Sequence, residues 1–387
     1  GNIPASMLGI KAIDNQTLLV KLENPTPYFL ELAASPPFFP VNMETDKVNP
    51  NWATKSETFV SSGPFTPSKW EIGNELTATR NENYWDANAV KLSNVKMVMV
   101  NSETALNMFE NNELDWEGSP LSALPPTALE TLRKANNVHT EPSLGTYLIR
   151  INTANATMQN PKVRKALSYA INRQAIIDHV IQGEQAAATR FVPETMNLCK
   201  EGYFTDNNAE LARTLFDEAV ESGDVSRSDF YNITLTHVIG ERSQKVCEAI
   251  QGQWREILGI EVRLQSVEPK VYYSQVNRQD YQLALGSWIA DFSDAISFLE
   301  VFKTKNNGTN NTNWENADYV AKLTASDTCK DPVQRENLLK EGETILMNDM
   351  PIIPLYHYNM LYVKKDNIKD VVLSNMGSID LKWAYVD

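Results

Sequence analysis

Short apolar runs separated by turn-forming residues fill the first quarter of the chain, a pattern that predicts strands joined by tight turns. Residues 10–13 and 18–22 flank a polar, turn-forming trio, which predicts a β-hairpin. A short helix is expected over 28–34, between two proline-rich stretches. Two further strands are predicted on either side of the turn at 72–74, and residues 95–100 have the pattern of a strand buried on both faces.

From residue 101 onward, apolar residues recur with the spacing typical of helices. Ser102 is expected to cap the first of these helices. Residues 233–238, 242–258 and 260–264 predict a βαβ unit whose helix ends at Gly259. Two further helices are predicted, over 161–181, with Pro161 in the first turn, and over 209–219. Further strands are predicted over 114–116, 281–288 and 352–358, and a polar loop over 306–313. This mixture favours an α/β chain of several domains.

The length and the charge narrow the class of protein. At ~150 residues per domain, the 387 residues correspond to two or three domains. Asp and Glu outnumber Lys and Arg by 49 to 35, which gives a net charge of −14. This acidity argues against nucleic acid or an anionic membrane as the main partner, because both bind basic surfaces. No stretch of the sequence approaches the ~20 apolar residues of a membrane-spanning helix.

No enzyme motif is complete in the sequence. It lacks the glycine-rich phosphate loops and the serine nucleophile elbow, and its four histidines are isolated from one another. The three cysteines, Cys199, Cys247 and Cys329, lack the spacing of a metal or redox motif. The sequence is therefore compatible with two states, either one disulfide and one free thiol or three buried thiols. Abundant carboxylates leave open a hydrolase that uses two distant acids.

The segment 284–292 is an apolar strand that ends in Asp291, between bulky apolar neighbours. In one interpretation Asp291 caps a following helix that begins near Ala295. In the other, the carboxylate lies at the mouth of an aromatic pocket and meets a cationic group of a ligand. The local pattern is compatible with both interpretations.

Three ordered blocks carry a resemblance to a known family. The first block consists of Ser62-Gly63-Pro64-Phe65, Trp70 and the run Arg80–Asp86. The second is Asn160–Arg173 and the third is Gly286–Asp291. Shorter matches occur at Leu8–Asp14 and Ile353–Tyr356. Together they resemble the oligopeptide-binding receptors of bacterial ABC importers, in family 5 of the extracytoplasmic solute-binding proteins. The likeness covers essentially the whole chain, in order.

The resemblance implies an α/β fold in which two lobes form a clamp, as in type II-like periplasmic binding proteins, with an extra domain on one lobe. Residues 1–55 would finish the extra domain, 56–144 with 359–387 would form the first lobe, and 145–358 the second. Because Leu8 aligns well inside a family member, we expect the export signal, the first strands and much of the extra domain to be missing from this sequence, so that the fold is incomplete at its N-terminus.

The resemblance also implies a ligand site. Asp291 aligns with the residue that receives the α-ammonium of a peptide, and Trp288 and Tyr358 align with aromatic residues that line the site. Two main-chain segments would pair with an extended peptide. These segments consist of Gly145, Thr146 and Tyr147, and of Ser287, Trp288 and Ile289. The family's disulfide between them is absent, and the positions of its carboxylate-binding basic residues align with Ser243 and Leu285.

The expected function is therefore the capture of an oligopeptide in the cleft between the lobes and its delivery to an ABC transporter permease. We expect a monomer, with no cofactor, metal or catalytic residue, outside the cytoplasm in the periplasm or lipid-anchored at the outer face of the membrane. The alternatives are a two-carboxylate hydrolase, or a family member that binds a dipeptide, murein peptide, glutathione or metal chelate.

Overall fold

The computed structural model describes Pro4, residues 7–305 and residues 307–387 of the chain. Asn306, the first residue of the predicted polar loop, lies outside the described residues, and 307–313 contain no helix or strand. The chain divides into two compact units. Unit 1 comprises Gly1–Ser35, Thr146–Gln174 and Ala187–Tyr356, and unit 2 comprises Pro36–Gly145, Ala175–Ala186 and His357–Asp387. The assignment of ranges to an extra domain and two lobes stays a prediction.

Helices and strands alternate along most of the chain. The first part contains β1 (Ile10–Ala12), β2 (Leu18–Val20), α1 (Phe29–Ala33), α2 (Met43–Val48), β3 (Phe65–Glu71), β4 (Glu75–Arg80), β5 (Asn94–Val98), α3 (Ser102–Glu110), β6 (Trp116–Gly118), α4 (Leu129–Lys134) and β7 (His139–Ile151). The second part contains α5 (Pro161–Tyr169), α6 (Arg173–Ile176), β8 (Ala186–Ala187), α7 (Ala209–Glu221), β9 (Thr234–Val238), α8 (Glu241–Leu258), β10 (Arg263–Val267), α9 (Pro269–Asn277), β11 (Leu283–Ile289), α10 (Ile296–Leu299), α11 (Ala317–Thr328), α12 (Pro332–Asp349), β12 (Ile352–Lys364), β13 (Ile368–Lys369), β14 (Val372–Ser374), β15 (Ser378–Asp380) and β16 (Tyr385–Val386).

The largest sheet has the strand order β10-β9-β11-β7-β12-β6. In unit 1, β9 pairs in parallel with both β10 and β11, and α8 connects β9 to β10. This confirms the predicted βαβ unit, and Gly259 ends its helix with a φ of 67°, a left-handed conformation that suits glycine. In unit 2, β6 pairs antiparallel with the C-terminal part of β12. The predicted hairpins are confirmed as the antiparallel pairs β1–β2 and β3–β4.

The long helix predicted over 161–181 is interrupted. The first segment, α5, begins as expected at Pro161 with Asn160 as its cap, but it ends at Tyr169. The main-chain N–H of Arg173 then donates to the carboxylate of Asp206 at 3.0 Å, in place of a helical carbonyl group. The prediction of one helix was therefore wrong, because a distant side chain supplies the hydrogen bond that starts α6.

Two other expectations are corrected in unit 2. Asn101, not Ser102, caps α3, since its Oδ1 accepts the N–H of Thr104 at 2.9 Å. Strand β5 forms where it was predicted, but it is not buried on both faces. Lys96 of β5 is exposed and forms an ion pair with Glu75 of β4 at 3.0 Å.

The arginines of the block 160–173 stabilise the interior of unit 1. The guanidinium of Arg164 donates to main-chain carbonyl groups at three points. Arg173 is fully buried, and its Nε donates to the carbonyl oxygen of Pro354 at 2.7 Å. Its Nη1 donates to Asp206 Oδ1 at 2.9 Å and its Nη2 to Ser168 Oγ at 2.8 Å. These bonds tie the helical segments to the start of β12, so this part of the family motif has a structural role.

Replacing Arg173 with Met should lower the free energy of unfolding by about 3–5 kcal/mol, because the carboxylate of Asp206 and the carbonyl group of Pro354 lose their buried partner. Urea unfolding followed by circular dichroism measures the loss. The control is Arg255→Met, which removes a guanidinium that is 56% exposed and should cost less than about 1 kcal/mol. Equal losses for the two variants would contradict the structural role of Arg173.

Candidate functional site

The end of β11 is held by one buried serine. The indole Nε1–H of Trp288 donates to the carbonyl oxygen of Ser297 at 2.8 Å. The main-chain N–H of Asp291 donates to Ser297 Oγ at 2.9 Å. The orientation of the aromatic ring and the position of the carboxylate-bearing residue are therefore set by the same short helix, α10.

The carboxylate of Asp291 is exposed, and no residue that the structure describes donates a hydrogen bond to it. The interpretation that Asp291 caps the next helix is wrong. The cap position of α10 is Ala295, and it is Asp294 whose Oδ1 accepts the N–H of Ile296 at 3.0 Å. An exposed acid whose main chain is fixed but whose carboxylate has no protein donor suits a cationic ligand group.

Helix α1 covers the loop that carries Asp291. The ring of Tyr28 stacks on Phe292 with centroids 4.6 Å apart and planes inclined by 14°. Glu31 Oε2 accepts the main-chain N–H of Ser293 at 2.8 Å. Burial raises the pKa of the Tyr28 hydroxyl, and nearby carboxylates add to the effect. Sequence reasoning predicted helix α1 but not its contact with this loop, because 262 residues separate Glu31 from Ser293.

An ion pair holds the other side of the loop. Arg335 of α12 donates through Nη1 and Nη2 to the two carboxylate oxygens of Asp294, each at 2.9 Å. Both side chains are largely buried, at 13% and 16% exposure. A bidentate pair in this setting restricts the loop more than a single hydrogen bond would.

The second predicted segment lies in β7. Thr146 is fully buried, and its Oγ1–H donates to the carbonyl oxygen of Phe191 at 2.7 Å. Tyr147 is partly exposed, and its ring lies against Tyr356 with centroids 5.0 Å apart. The hydroxyl of Tyr147 lies 3.5 Å from Ser243 Oγ. The side chain of Thr146 is thus engaged inside the protein, whereas that of Tyr147 has an exposed surface.

The eight predicted site residues are divided between the units. Gly145, which is buried, and Tyr358, which is partly exposed, belong to unit 2, and the other six belong to unit 1. Ile289, at the end of β11, is 50% exposed. Within unit 1, Ser297 brings Trp288 and Asp291 together.

Sequence reasoning missed Arg150, which connects the two predicted segments of unit 1. Its Nη2 donates to the carbonyl oxygen of Ser287 at 2.7 Å. Gly286 provides the space, because a Cβ at this position would collide with Arg150 Nη1 and would lie 2.8 Å from the hydroxyl oxygen of Tyr272. A charged residue between Ile149 and Ile151, in the mostly apolar second half of β7, is the signal that could have identified it.

A buried carboxylate supports the segment beneath Thr146. Glu343 Oε1 accepts the main-chain N–H groups of Phe191 and Val192 at 2.9 and 2.8 Å, and Oε2 accepts the hydroxyl of Tyr203 at 3.0 Å. Burial raises the pKa of Glu343 to about 7, and these hydrogen bonds oppose the shift. The carboxylate thus fixes the carbonyl group that receives Thr146.

The cysteines and the acidic residues form no further centre in the described part of the chain. All three cysteines are free thiols, with Cys199 and Cys247 buried and Cys329 partly exposed, so the disulfide alternative was wrong. Burial raises the pKa of the Cys247 thiol. Among the described residues, no His, Cys, Asp and Glu side chains form a group suited to hold a metal ion. No described helix is both long enough and apolar enough to cross a bilayer.

Comparison with known proteins defines the class. Residues 2–310 match the model of the bacterial extracellular solute-binding proteins, family 5. Oligopeptide-binding protein OppA of Bacillus subtilis is 38% identical over 98% of this chain and 70% of its own length. Dipeptide-binding protein DppE of the same organism is 33% identical over 97% of this chain and 69% of its own. A solved periplasmic oligopeptide-binding protein of an oligopeptide ABC transporter from Borrelia burgdorferi superposes with a TM-score of 0.83 at 27% identity, over 99% of this chain and 76% of that one.

These matches define a solute-binding protein with the periplasmic-binding-protein fold. The chain belongs to family 5 of the bacterial extracellular solute-binding proteins. The predicted family and the predicted α/β fold class are thereby confirmed. The roles of the eight site residues remain predictions.

The raised pKa of Glu343 makes stability depend on pH. Between about pH 4.5 and 7, the unfolded chain ionises this carboxyl group while the folded protein retains its proton, so its stabilising contribution is lost as the pH rises through this range. Relative to Glu343→Gln, the wild-type free energy of unfolding should fall by about 3 kcal/mol from pH 4.5 to pH 8.

Urea unfolding of both proteins across this pH range measures the difference. Glu341→Gln on the same helix is the control, because it removes a carboxylate that is 55% exposed. A wild-type curve that stays parallel to that of Glu343→Gln at every pH would contradict the assigned protonation.

Proposed function

We propose that this protein binds an oligopeptide in its extended form and presents it to the permease of an ABC importer. The observation that carries the proposal is the exposed carboxylate of Asp291, anchored through its main chain to Ser297 beside the ring of Trp288. The names of the relatives support the ligand class, since they include oligopeptide- and dipeptide-binding proteins and a component of an oligopeptide ABC transporter.

In this proposal the α-ammonium of the peptide forms an ion pair with Asp291. The main-chain groups of 145–147 and 287–289 form strand-like hydrogen bonds with the peptide backbone. Backbone groups are the same in every peptide, so this pairing gives affinity with little dependence on the peptide sequence. The rings of Trp288, Tyr147 and Tyr358 cover its side chains with apolar surface.

The proposed mechanism uses closure of two lobes around the ligand. The first lobe consists of 56–144 and 359–387, the second of 145–358, and residues 1–55 belong to an extra domain. Closure removes water from the ion pair and strengthens it, because opposite charges attract more strongly at low dielectric. A hinge motion of this kind distinguishes loaded from empty protein for the permease.

No bond is made or broken in this function, and we propose that the protein is not an enzyme. It acts as a monomer outside the cytoplasm, either in the periplasm or lipid-anchored at the outer face of the membrane. Membership of a solute-binding family does not favour the two-carboxylate hydrolase. Glutathione, a murein peptide and a metal chelate are less favoured than a linear peptide with a free α-ammonium.

Asp291→Asn should weaken the binding of peptides with a free amine by about tenfold or more, because the ammonium loses its charged partner. N-acetylated peptides lack this charge, so their affinity should change less than about twofold. Isothermal titration calorimetry with tri- to pentapeptides and their N-acetyl forms measures both. Asp280→Asn removes another exposed carboxylate of unit 1 and should affect neither. Equal weakening of free and acetylated peptides would falsify the role of Asp291.

A further inference from the structure

We propose that Arg150 receives a carboxylate of the bound peptide and thereby adds a second charged contact to the site. The proposal rests on the function proposed above and names a part of the ligand that Asp291 does not bind. The aligned basic positions of the family are occupied here by Ser243 and Leu285, so a different residue has to supply positive charge if a carboxylate is bound.

The guanidinium of Arg150 lies beside Gly286 and Ser287, at the start of the segment 287–289 of β11 that is proposed to pair with the peptide. It donates to the carbonyl oxygen of Ser287, and Gly286 leaves open the volume that it occupies. Ser287 precedes Asp291 by four positions, which corresponds to at most about 13 Å of extended chain. An extended peptide whose ammonium contacts Asp291 and whose backbone runs back along β11 reaches Arg150 about three to four residues later.

The charge of Arg150 has no acidic partner among the described residues, although the side chain is partly buried. Arg164, which is more deeply buried, also has no described ion pair, but it donates to three main-chain carbonyl groups. Three other arginines of unit 1 do have an acidic partner. They are Arg173 with Asp206 at 2.9 Å, Arg335 with Asp294 at 2.9 Å, and Arg190 with Glu194 at 3.3 Å.

A charge that is partly removed from water needs compensation, and the described partners of Arg150 are neutral, namely the carbonyl oxygen of Ser287 and the hydroxyl of Tyr272. Several of its N–H donors therefore remain for a ligand.

A neutral hydroxyl, that of Tyr272, lies beside Arg150. The phenol of Tyr272 lies over Gly286 beside the guanidinium and donates to the carbonyl oxygen of Leu285 at 2.7 Å. Burial raises the pKa of the Tyr272 hydroxyl, and the positive charge of Arg150 opposes the shift. A positive centre beside a neutral hydroxyl, on a strand that carries predicted site residues, is suited to a planar anion such as a carboxylate.

Two groups of a peptide supply such an anion at this distance, namely the C-terminal carboxylate of a tri- or tetrapeptide and an acidic side chain near its third position. Calorimetry of the wild-type chain should distinguish them. The ligands are tri- and tetra-alanine with free and amidated C-termini, and an amidated tetrapeptide with glutamate at its third position. We expect peptides with a carboxylate near Arg150 to bind about tenfold or more tightly than fully amidated alanine peptides.

The variant Arg150→Gln should remove this preference, so that carboxylate-bearing and amidated peptides bind it with affinities within about twofold of each other, while Arg150→Lys should retain part of the preference. The effect of N-acetylation should persist in Arg150→Gln, which shows that the Asp291 end of the site is intact. Arg255→Gln changes the net charge of unit 1 equally, at an exposed position, and should behave as wild type.

Loss of affinity for the C-terminal carboxylate alone, or for the glutamate peptide alone, supports the proposal and identifies the source of the anion. Equal affinity of the wild type for free and amidated peptides of both kinds would overturn it while leaving the proposed peptide-binding function standing. Failure of the wild type to bind any of these peptides would overturn both.

Discussion

The guanidinium of Arg173 lies wholly inside unit 1, where a charge is tolerated only if protein groups replace the water that it has lost. Asp206, Pro354 and Ser168 do so, and in doing so they determine where one helix ends, where the next begins and how both meet β12. Glu343, beneath the segment that receives Thr146, also has protein donors around it, although burial still raises its pKa to about 7. Compensation of buried charge therefore organises the support of the site.

At the predicted site, the described residues do not supply partners of opposite charge for two charged side chains. The carboxylate of Asp291 is exposed without a described donor, and the guanidinium of Arg150 is partly buried without a described acid. The main chain of Asp291 is nevertheless held by Ser297, and the guanidinium of Arg150 is held beside Gly286 by its bond to the carbonyl oxygen of Ser287. Charges that are fixed in place but uncompensated favour a ligand of opposite charge, because little order is lost when it binds.

Local structure was predictable wherever it depended on nearby residues. The β1–β2 hairpin and the βαβ unit whose helix ends at Gly259 follow from turn residues and apolar spacing, and both formed as expected. The break after Tyr169 was not predictable in this way, since Asp206, which starts the next helix, lies 33 positions from Arg173. For the same reason the local pattern left open whether Asp291 caps the next helix, whereas it is Asp294 that accepts the N–H of Ile296. Local pattern does not show which of two neighbouring carboxylates turns toward the helix.

The family, the α/β class and the candidate residues Asp291 and Trp288 could be inferred without coordinates, because ordered motifs and apolar periodicity are properties of the chain alone. The environment of each side chain was set by folding. Folding buried Thr146 against Phe191, left Asp291 exposed, and placed Arg150 on Gly286 from a different strand. Burial, hydrogen bonding and charge compensation depend on groups that are distant in sequence and adjacent only after folding, so they are set by packing.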